Sequence, residues 1–297
     1  MNCFDDVKID IEVKNNQFDL EGGFIMQRLN FLGVGSGLSD SHNNCWFIRE
    51  GMYHNENDVN GLFFIDMSML NVGKAMEIIK NNLDKKVSLL VTHTHPDHVS
   101  GIGMLLQKCY YQYGITVRIV VPDKLKHPLM TMLTIQGIPR TLESGRDMYE
   151  VYEADTNSCK FQSSSFLKLG IEAFATPHAP ELSYNYGYII FLGLKEGYIL
   201  YSGDTNTLSR LEEYLLENKS NTQVYVDMSF SYGKDKKKED RVHSLFDDSI
   251  DEIYEIARYD YTTNLYLMHI DDMEAARAGI RKCRKDGYKN IYLAKTK

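Results

Sequence analysis

At 297 residues and 43% hydrophobic content the chain can bury a sizeable core, and one large α/β domain is the simplest organisation. Its 33 basic and 41 acidic residues leave a formal charge of −8, which argues against a broad basic face for a nucleic-acid backbone while leaving a local patch open. The first residues form neither a basic leader nor an apolar stretch, and no apolar run reaches the ~20 residues of a bilayer span, so a soluble, cytoplasmic protein without membrane contact is expected.

Val7, Ile9, Ile11 and Val13 alternate with charged residues and lead to Asn15-Asn16, the pattern of a strand and turn. This predicts an N-terminal hairpin extension over residues 1–25, ahead of a single domain over 26–297. A strand from Gln27 to Leu32 then runs into Gly33-Val34-Gly35-Ser36-Gly37. No helix pattern opens behind these glycines, so a tight loop is expected in place of a dinucleotide fold. Strands at Trp46–Arg49 and Leu62–Met67 precede a helix over Val72–Leu83, apolar at Val72, Ala75, Met76, Ile79 and Leu83. The buried strand Val87–Val91 leads into Thr92-His93-Thr94-His95-Pro96-Asp97-His98, and a helix-like segment follows from Val99 to Tyr113. Three imidazoles and a carboxylate so close together are hard to explain as packing. Alternate side chains of an extended stretch share a side, so His93 and His95 can reach one metal while Asp97 and His98, past the turn at Pro96, reach another.

This stretch resembles the His-x-His-x-Asp-His signature of the metallo-β-lactamase superfamily, and the rest of the chain agrees with that over nearly its whole length. The resemblance implies a four-layer αββα sandwich and a hydrolase that attacks with metal-bound hydroxide. The Gly33–Gly37 loop is similar to the first loop of tRNase Z-like members, which lies under the metal site.

Further along, a strand at Val117–Val121, a helix around Leu125–Leu133, a Gly137-Ile138-Pro139 break and a strand around Tyr149–Tyr152 fill a region that in this superfamily often shapes the substrate pocket. The basic Gly/Pro-rich arm of tRNase Z is not evident. After the strand Ile171–Ala175 comes His178, which alone reads as a structural histidine and by resemblance is the third histidine of the first metal site. Tyr198–Tyr201 runs into Ser202-Gly203-Asp204. Alone, Asp204 reads as a turn or cap aspartate before a helix over Leu208–Leu216. By resemblance it bridges two cations about 3.5 to 4 Å apart, and it separates the chain from the true β-lactamases, which carry cysteine there. Val224–Met228 is a strand, and Asp227 on it is read as lying outside the site. The mixed-charge loop Lys234–Arg241 reads as a solvated face or a contact for a substrate phosphate. His243-Ser244 then precedes an amphipathic helix, with Ser244 and Asp247 as its capping pair. The strand Leu265–Met268 ends at His269, which corresponds to the last metal ligand, and Met273–Arg284 and Asn290–Ala294 close the chain as helix and strand. Five cysteines, Cys3, Cys45, Cys109, Cys159 and Cys283, form no Cys-x-x-Cys pair and are expected as free thiols.

The resemblance thus implies one site of His93, His95 and His178, a second of Asp97, His98 and His269, and Asp204 shared between them. Two divalent ions are expected, zinc first and manganese or iron as alternatives. Asp97 is also counted with the catalytic groups. His243 resembles the extra histidine of tRNase Z and of the smaller cyclic-phosphate diesterases. It is expected to give a proton to the leaving oxygen or to orient phosphate, against the simpler reading that it packs ahead of the helix. A small phosphodiester is therefore the expected substrate. An ester, thioester or lactone hydrolase is the second reading, and a non-catalytic metal- or partner-binding module the third. His42, His54 and His127 receive no role, and a homodimer stays open.

Overall fold

Each half of the chain builds one six-stranded sheet. The computed structural model describes residues 17–18, 24–25, 28–49, 61–154, 156, 170–182, 184–193, 197–209, 211–215, 221–237, 240–259 and 262–296. The strand expected over residues 7–13 and His54 lie outside them. The described N-terminal pairing joins β1 (Gln17–Phe18) to β2 (Phe24–Ile25), antiparallel, with Gln17 opposite Ile25.

The first sheet runs in chain order through β3 (Asn30–Gly33), β4 (Asn44–Arg49), β5 (Gly61–Ile65), β6 (Lys86–Leu90), β7 (Val117–Pro122) and β8 (Tyr149–Ala154). Its first two pairings are antiparallel and the next three parallel. The second sheet repeats that succession through β9 (Ile171–Ala175), β10 (Tyr186–Gly193), β11 (Gly197–Tyr201), β12 (Thr222–Asp227), β13 (Thr262–Met268) and β14 (Ile291–Leu293). Every residue of β5 and of β12 is buried, as parallel strands covered on both faces require. Helices Ile102–Tyr113 and Asp123–Ile135 pack on the first sheet, and Ile250–Arg258 and Met273–Lys285 on the second. Between the sheets, Phe31 meets Tyr225 with ring centroids 5.9 Å apart, and the Tyr188 hydroxyl donates to the Val91 carbonyl at 2.5 Å. The result is the αββα sandwich of the metallo-β-lactamase fold. Among the described residues, no helix is long and apolar enough to cross a membrane.

Asp66 follows β5, the His93–His98 stretch follows β6, Asp204 follows β11, Asp227 ends β12 and His269 follows β13. The chemistry-bearing residues therefore gather beyond the carboxyl ends of strands from both sheets, where open α/β sheets leave a crevice.

One local expectation fails. The amphipathic helix begins at Ile250, and Ser244 does not cap it. Ser229 N–H donates to the Ser244 carbonyl and Phe246 N–H to the Ser229 carbonyl, at 2.8 and 2.9 Å, so residues 244–246 pair with Ser229 before any helix can start. The Ser244 N–H and hydroxyl both turn to the Thr205 carbonyl, at 2.7 and 3.1 Å.

Candidate metal centre

One oxygen organises the site. Asp204 Oδ2 lies 3.8, 3.3, 3.8 and 3.4 Å from the Nε2 atoms of His93, His98, His178 and His269. His178 Nε2 is 3.2 Å from His95 Nδ1, and Asp97 Oδ2 is 3.2 Å from His98 Nε2 and 3.6 Å from His269 Nε2. His93, His95 and His178 form one group able to hold a cation, and Asp97, His98, Asp204 and His269 form a second. The seven residues expected to be ligands are thus brought together in the two expected groups. A third, overlapping group joins Asp204, Asp227, His243 and His269.

The donor set fits divalent cations, which the fold family binds. The Nε2 atoms of His93, His98 and His269 and the Oδ1 of Asp204 are buried without a hydrogen-bond partner. Such orphaned groups are expensive unless something else satisfies them, and imidazole nitrogen with carboxylate oxygen is the set that zinc and its neighbours take.

Two buried carboxylates orient these histidines. Asp66 Oδ2 lies 2.7 Å from His98 Nδ1, and its two oxygens accept from the Thr92 N–H and hydroxyl at 2.8 and 2.7 Å. Asp227 Oδ2 lies 2.7 Å from His243 Nδ1, and its Oδ1 lies 3.3 Å from His269 Nδ1. Asp227 therefore belongs to the site, and the expectation that it stands outside is overturned. The fold brings together residues 16 apart in the chain for one contact, and sets the end of β12 beside that of β13 for the other. On the far ring nitrogen, His178 Nδ1 faces the Val242 carbonyl at 2.6 Å. Partners of this kind fix the tautomer that leaves Nε2 free for a metal.

The backbone is strained here as well. Asp66 and His269 have φ of 59° and 60°, in the left-handed region. Ile270 N–H donates to the Val34 carbonyl at 2.7 Å, which holds the turn after His269 against the glycine loop. That loop presses on the cluster at Gly37, where a Cβ would stand 2.8 Å from Asp97 Oδ2. Gly37→Ala is expected to displace the Asp97 carboxylate and weaken metal binding about tenfold or more. Gly73→Ala, where a Cβ meets nothing within 4 Å, serves as the control. Metal titration of both variants checks this, and equal affinities would contradict it.

The two groups differ in charge. Burial pushes His93, His95 and His178 down, so they are neutral and ready to donate. Burial also opposes charge on His269, yet Asp204 and Asp227 outweigh it and raise its pKa to about 10. His98 is raised in the same way by Asp204, Asp66 and Asp97 against burial. Asp97 and Asp204, despite burial, are held well below the usual carboxylate range by His98 and His269. A cation entering the second group must displace protons from His98 and His269, whereas one entering the first displaces almost none. Metal uptake at pH 7 is therefore expected to release about two protons per chain, with affinity rising as pH climbs toward 10. Calorimetry in two buffers of different ionisation enthalpy measures the count, and no release would contradict this charge pattern.

A cavity of about 770 Å³ opens over the cluster, lined among others by His95, Asp97, Asp204, His243 and His269. His42, given no role above, also lines it, and burial lowers its pKa. His127 is exposed on the helix Asp123–Ile135. The charged loop turns inward on itself. Arg241 donates to the Gly233 carbonyl from Nε and to the Lys236 carbonyl from Nη2, both at 2.9 Å, and pairs with Asp248. Asp66 and Asp227 are the two functional carboxylates missed in the sequence. Each closes a buried strand, Phe63-Phe64-Ile65-Asp66 and Tyr225-Val226-Asp227, and a carboxylate at such an end was the available signal.

A family model described as "Anti-Pycsar protein Apyc1" matches residues 27–288. A curated protein of that name from Paenibacillus xerothermodurans is 44% identical over 65 residues, which span 22% of this chain and 26% of that relative. Solved structures with the same fold include the metallo-β-lactamase fold protein YhfI of Bacillus subtilis, with 15% identity, TM-score 0.61 and coverage of 90% of this chain and 96% of that one. Human tRNase Z, short form, also has 15% identity, with TM-score 0.53 and coverage of 90% and 96%. A diphosphatase of the PhnP family has 15% identity, TM-score 0.54 and coverage of 90% and 94%.

Proposed function

Since this chain belongs to the Anti-Pycsar protein Apyc1 family and is a metal-dependent hydrolase of the metallo-β-lactamase fold, we propose that it is a dinuclear phosphodiesterase acting on a small phosphodiester. His93, His95 and His178 would hold one divalent ion, Asp97, His98 and His269 the other, with Asp204 touching both and zinc as the preferred metal. Bound cations of this kind polarise a phosphoryl oxygen and bring the pKa of water down to about 7.

The observation that carries the diester reading is His243. Its Nδ1 lies 2.7 Å from Asp227 Oδ2, its side chain is 14% exposed, and it lines the cavity between His178 and His269, with ring centroids 4.8 and 4.6 Å away. The carboxylate holds the ring through Nδ1 and leaves Nε2 as the atom that would hand a proton to the oxygen that leaves as the P–O bond breaks. Asp97, beside both His98 and His269, would help to hold and orient the second ion.

Zinc- or manganese-loaded protein assayed against a bis-aryl phosphate, cyclic mononucleotides, a thioester and a lactone tests the reading. Hydrolysis of the phosphodiesters alone is expected. Turnover of the thioester or lactone with none of a phosphodiester would overturn it.

Free, buried thiols at Cys45, Cys109 and Cys283 suit a reducing compartment, and a cytoplasmic location is part of the proposal. So is the division at residue 25, with the N-terminal extension serving packing or subunit contact. A truncation starting at Met26 is expected to fold and retain both metals, and complete metal loss from a folded truncation would contradict that division.

A further inference from the structure

We propose that Asn44 is a positioning residue of the second metal group: its buried side-chain amide ties the main chain of Asp97 to the segment that carries Asp66, the carboxylate behind His98, and so sets the spacing between two ligands of one ion. This rests on the dinuclear reading and adds to it a residue that touches neither metal nor substrate.

Asn44 opens β4 and is fully buried. Its Oδ1 accepts the Ser68 N–H at 2.8 Å and the Asn71 side-chain amide at 2.7 Å, and its Nδ2 donates to the Asn43 and Asp97 carbonyls at 2.9 and 3.2 Å. Both donors and both lone-pair positions of the amide are thereby used. Its orientation follows from the partners. A backbone N–H can only donate and a carbonyl can only accept, so the oxygen must face Ser68 and the nitrogen must face Asp97. A carboxylate of the same shape could serve the first side alone, and an aliphatic side chain neither.

Each side of the amide leads to a ligand. Residues 66–68 are fastened at each step: Asp66 Oδ2 lies 2.7 Å from His98 Nδ1, the Met67 N–H donates to the His98 carbonyl at 2.7 Å, and the Ser68 N–H goes to Asn44. The φ of 59° at Asp66 is a conformation that persists only where the surroundings over-determine it, and the bond from Ser68 to Asn44 is one such constraint. On the other side Asp97 is held through its carbonyl, while its carboxylate lies 3.2 Å from His98 Nε2 and 3.6 Å from His269 Nε2.

The surrounding chain anchors Asn44 in turn. The Asn71 amide and the Asn44 N–H both donate to the His42 carbonyl, each at 3.0 Å, which ties in the end of the glycine loop. Asn43 reaches the other sheet, where its Nδ2 donates to the Tyr201 hydroxyl at 2.9 Å and stands 3.7 Å from Sδ of Met268, the residue before His269. Asn44 is thus fixed through its neighbour to β11 and β13, the strands that deliver Asp204 and His269.

The test is zinc titration of the full-length chain against a competing chelator, which resolves two dissociation constants, with metal-edge anomalous diffraction at one equivalent of zinc to locate the retained ion. Asn44→Asp keeps the accepting side and removes the donating one, so it is expected to weaken one ion about 10- to 100-fold, leave the other within about threefold, and retain the ion at His93, His95 and His178. Asn44→Ser buries no charge and cannot span both sides, and the same selective loss is expected from it should Asn44→Asp not fold. Leu133→Ala, at a buried position of the helix Asp123–Ile135 outside this network, is the stability control and is expected to lower Tm with both dissociation constants unchanged. Unchanged zinc affinities in the folded Asn44 variants, equal weakening of both ions, or loss of the ion at His93, His95 and His178 would each overturn the proposal. A failure of the dinuclear reading would be seen separately, as fewer than two zinc ions bound by the unaltered protein. The metal-free crystal structure of Asn44→Ser would then decide the proposal: Asp97 is expected to move away from His98, and an unmoved Asp97 would overturn it.

Discussion

Asp204→Ala is expected to strip metal from both groups and to abolish hydrolysis, while the protein stays folded. Among the described residues, Asp204 is the one carboxylate within 3.8 Å of imidazole nitrogens from both sets, His93 and His178 on one side and His98 and His269 on the other. Without it, Asp97 is left as the one carboxylate of the two groups, and the charged His98 and His269 beside it oppose entry of a second cation. Asp227→Ala should do less. It removes the group that orients His269 and His243 and not a ligand, so the second ion is expected to bind about 10- to 100-fold more weakly while the first is kept. Elemental analysis after gel filtration, with circular dichroism to confirm folding, separates the two variants. Two metals retained by Asp204→Ala would remove it from the bridging position.

His243→Ala is expected to keep both metals and lose about 10² to 10⁴ in kcat on a diester with an alkoxide leaving group. The seven other residues complete both groups without it, and its Nδ1 is already taken by Asp227. A p-nitrophenolate departs without a proton, so the loss should shrink on a diester with that leaving group. Equal small losses on both substrates would assign His243 to packing, and loss of metal would make it a ligand. Ser244 contributes by holding the backbone beside His243 through Thr205, a role unlike the helix cap expected from its spacing.

The contrast between Ser244 and His93 shows what can be read in a linear chain. His93, His95, Asp97 and His98 lie in one short stretch after β6, the last two on the helical turn Pro96–Val99, so their shared target is visible in their spacing. His178, Asp204 and His269 are single residues on separate strand ends, and only the likeness to a known family made them readable. The strand Ile171–Ala175 was legible from its apolar run and has those same ends in the structure. Asp66 and Asp227 were not legible as site residues. Asp66 meets His98 32 positions away, and Asp227 owes its place to β12 lying beside β13, a pairing that periodicity does not encode. Ser244 misled for the same reason, since a parallel bridge between Ser229 and Leu245 overrides the local preference for a helix cap.

The central claim is a pair of cations sharing Asp204, and metal-edge anomalous diffraction from protein purified without chelator and loaded with zinc tests it most directly. Two peaks about 3.5 to 4 Å apart are expected, one against His93, His95 and His178, the other against Asp97, His98 and His269, with Asp204 touching both. A single peak, or a second one that Asp204 does not reach, would contradict the account.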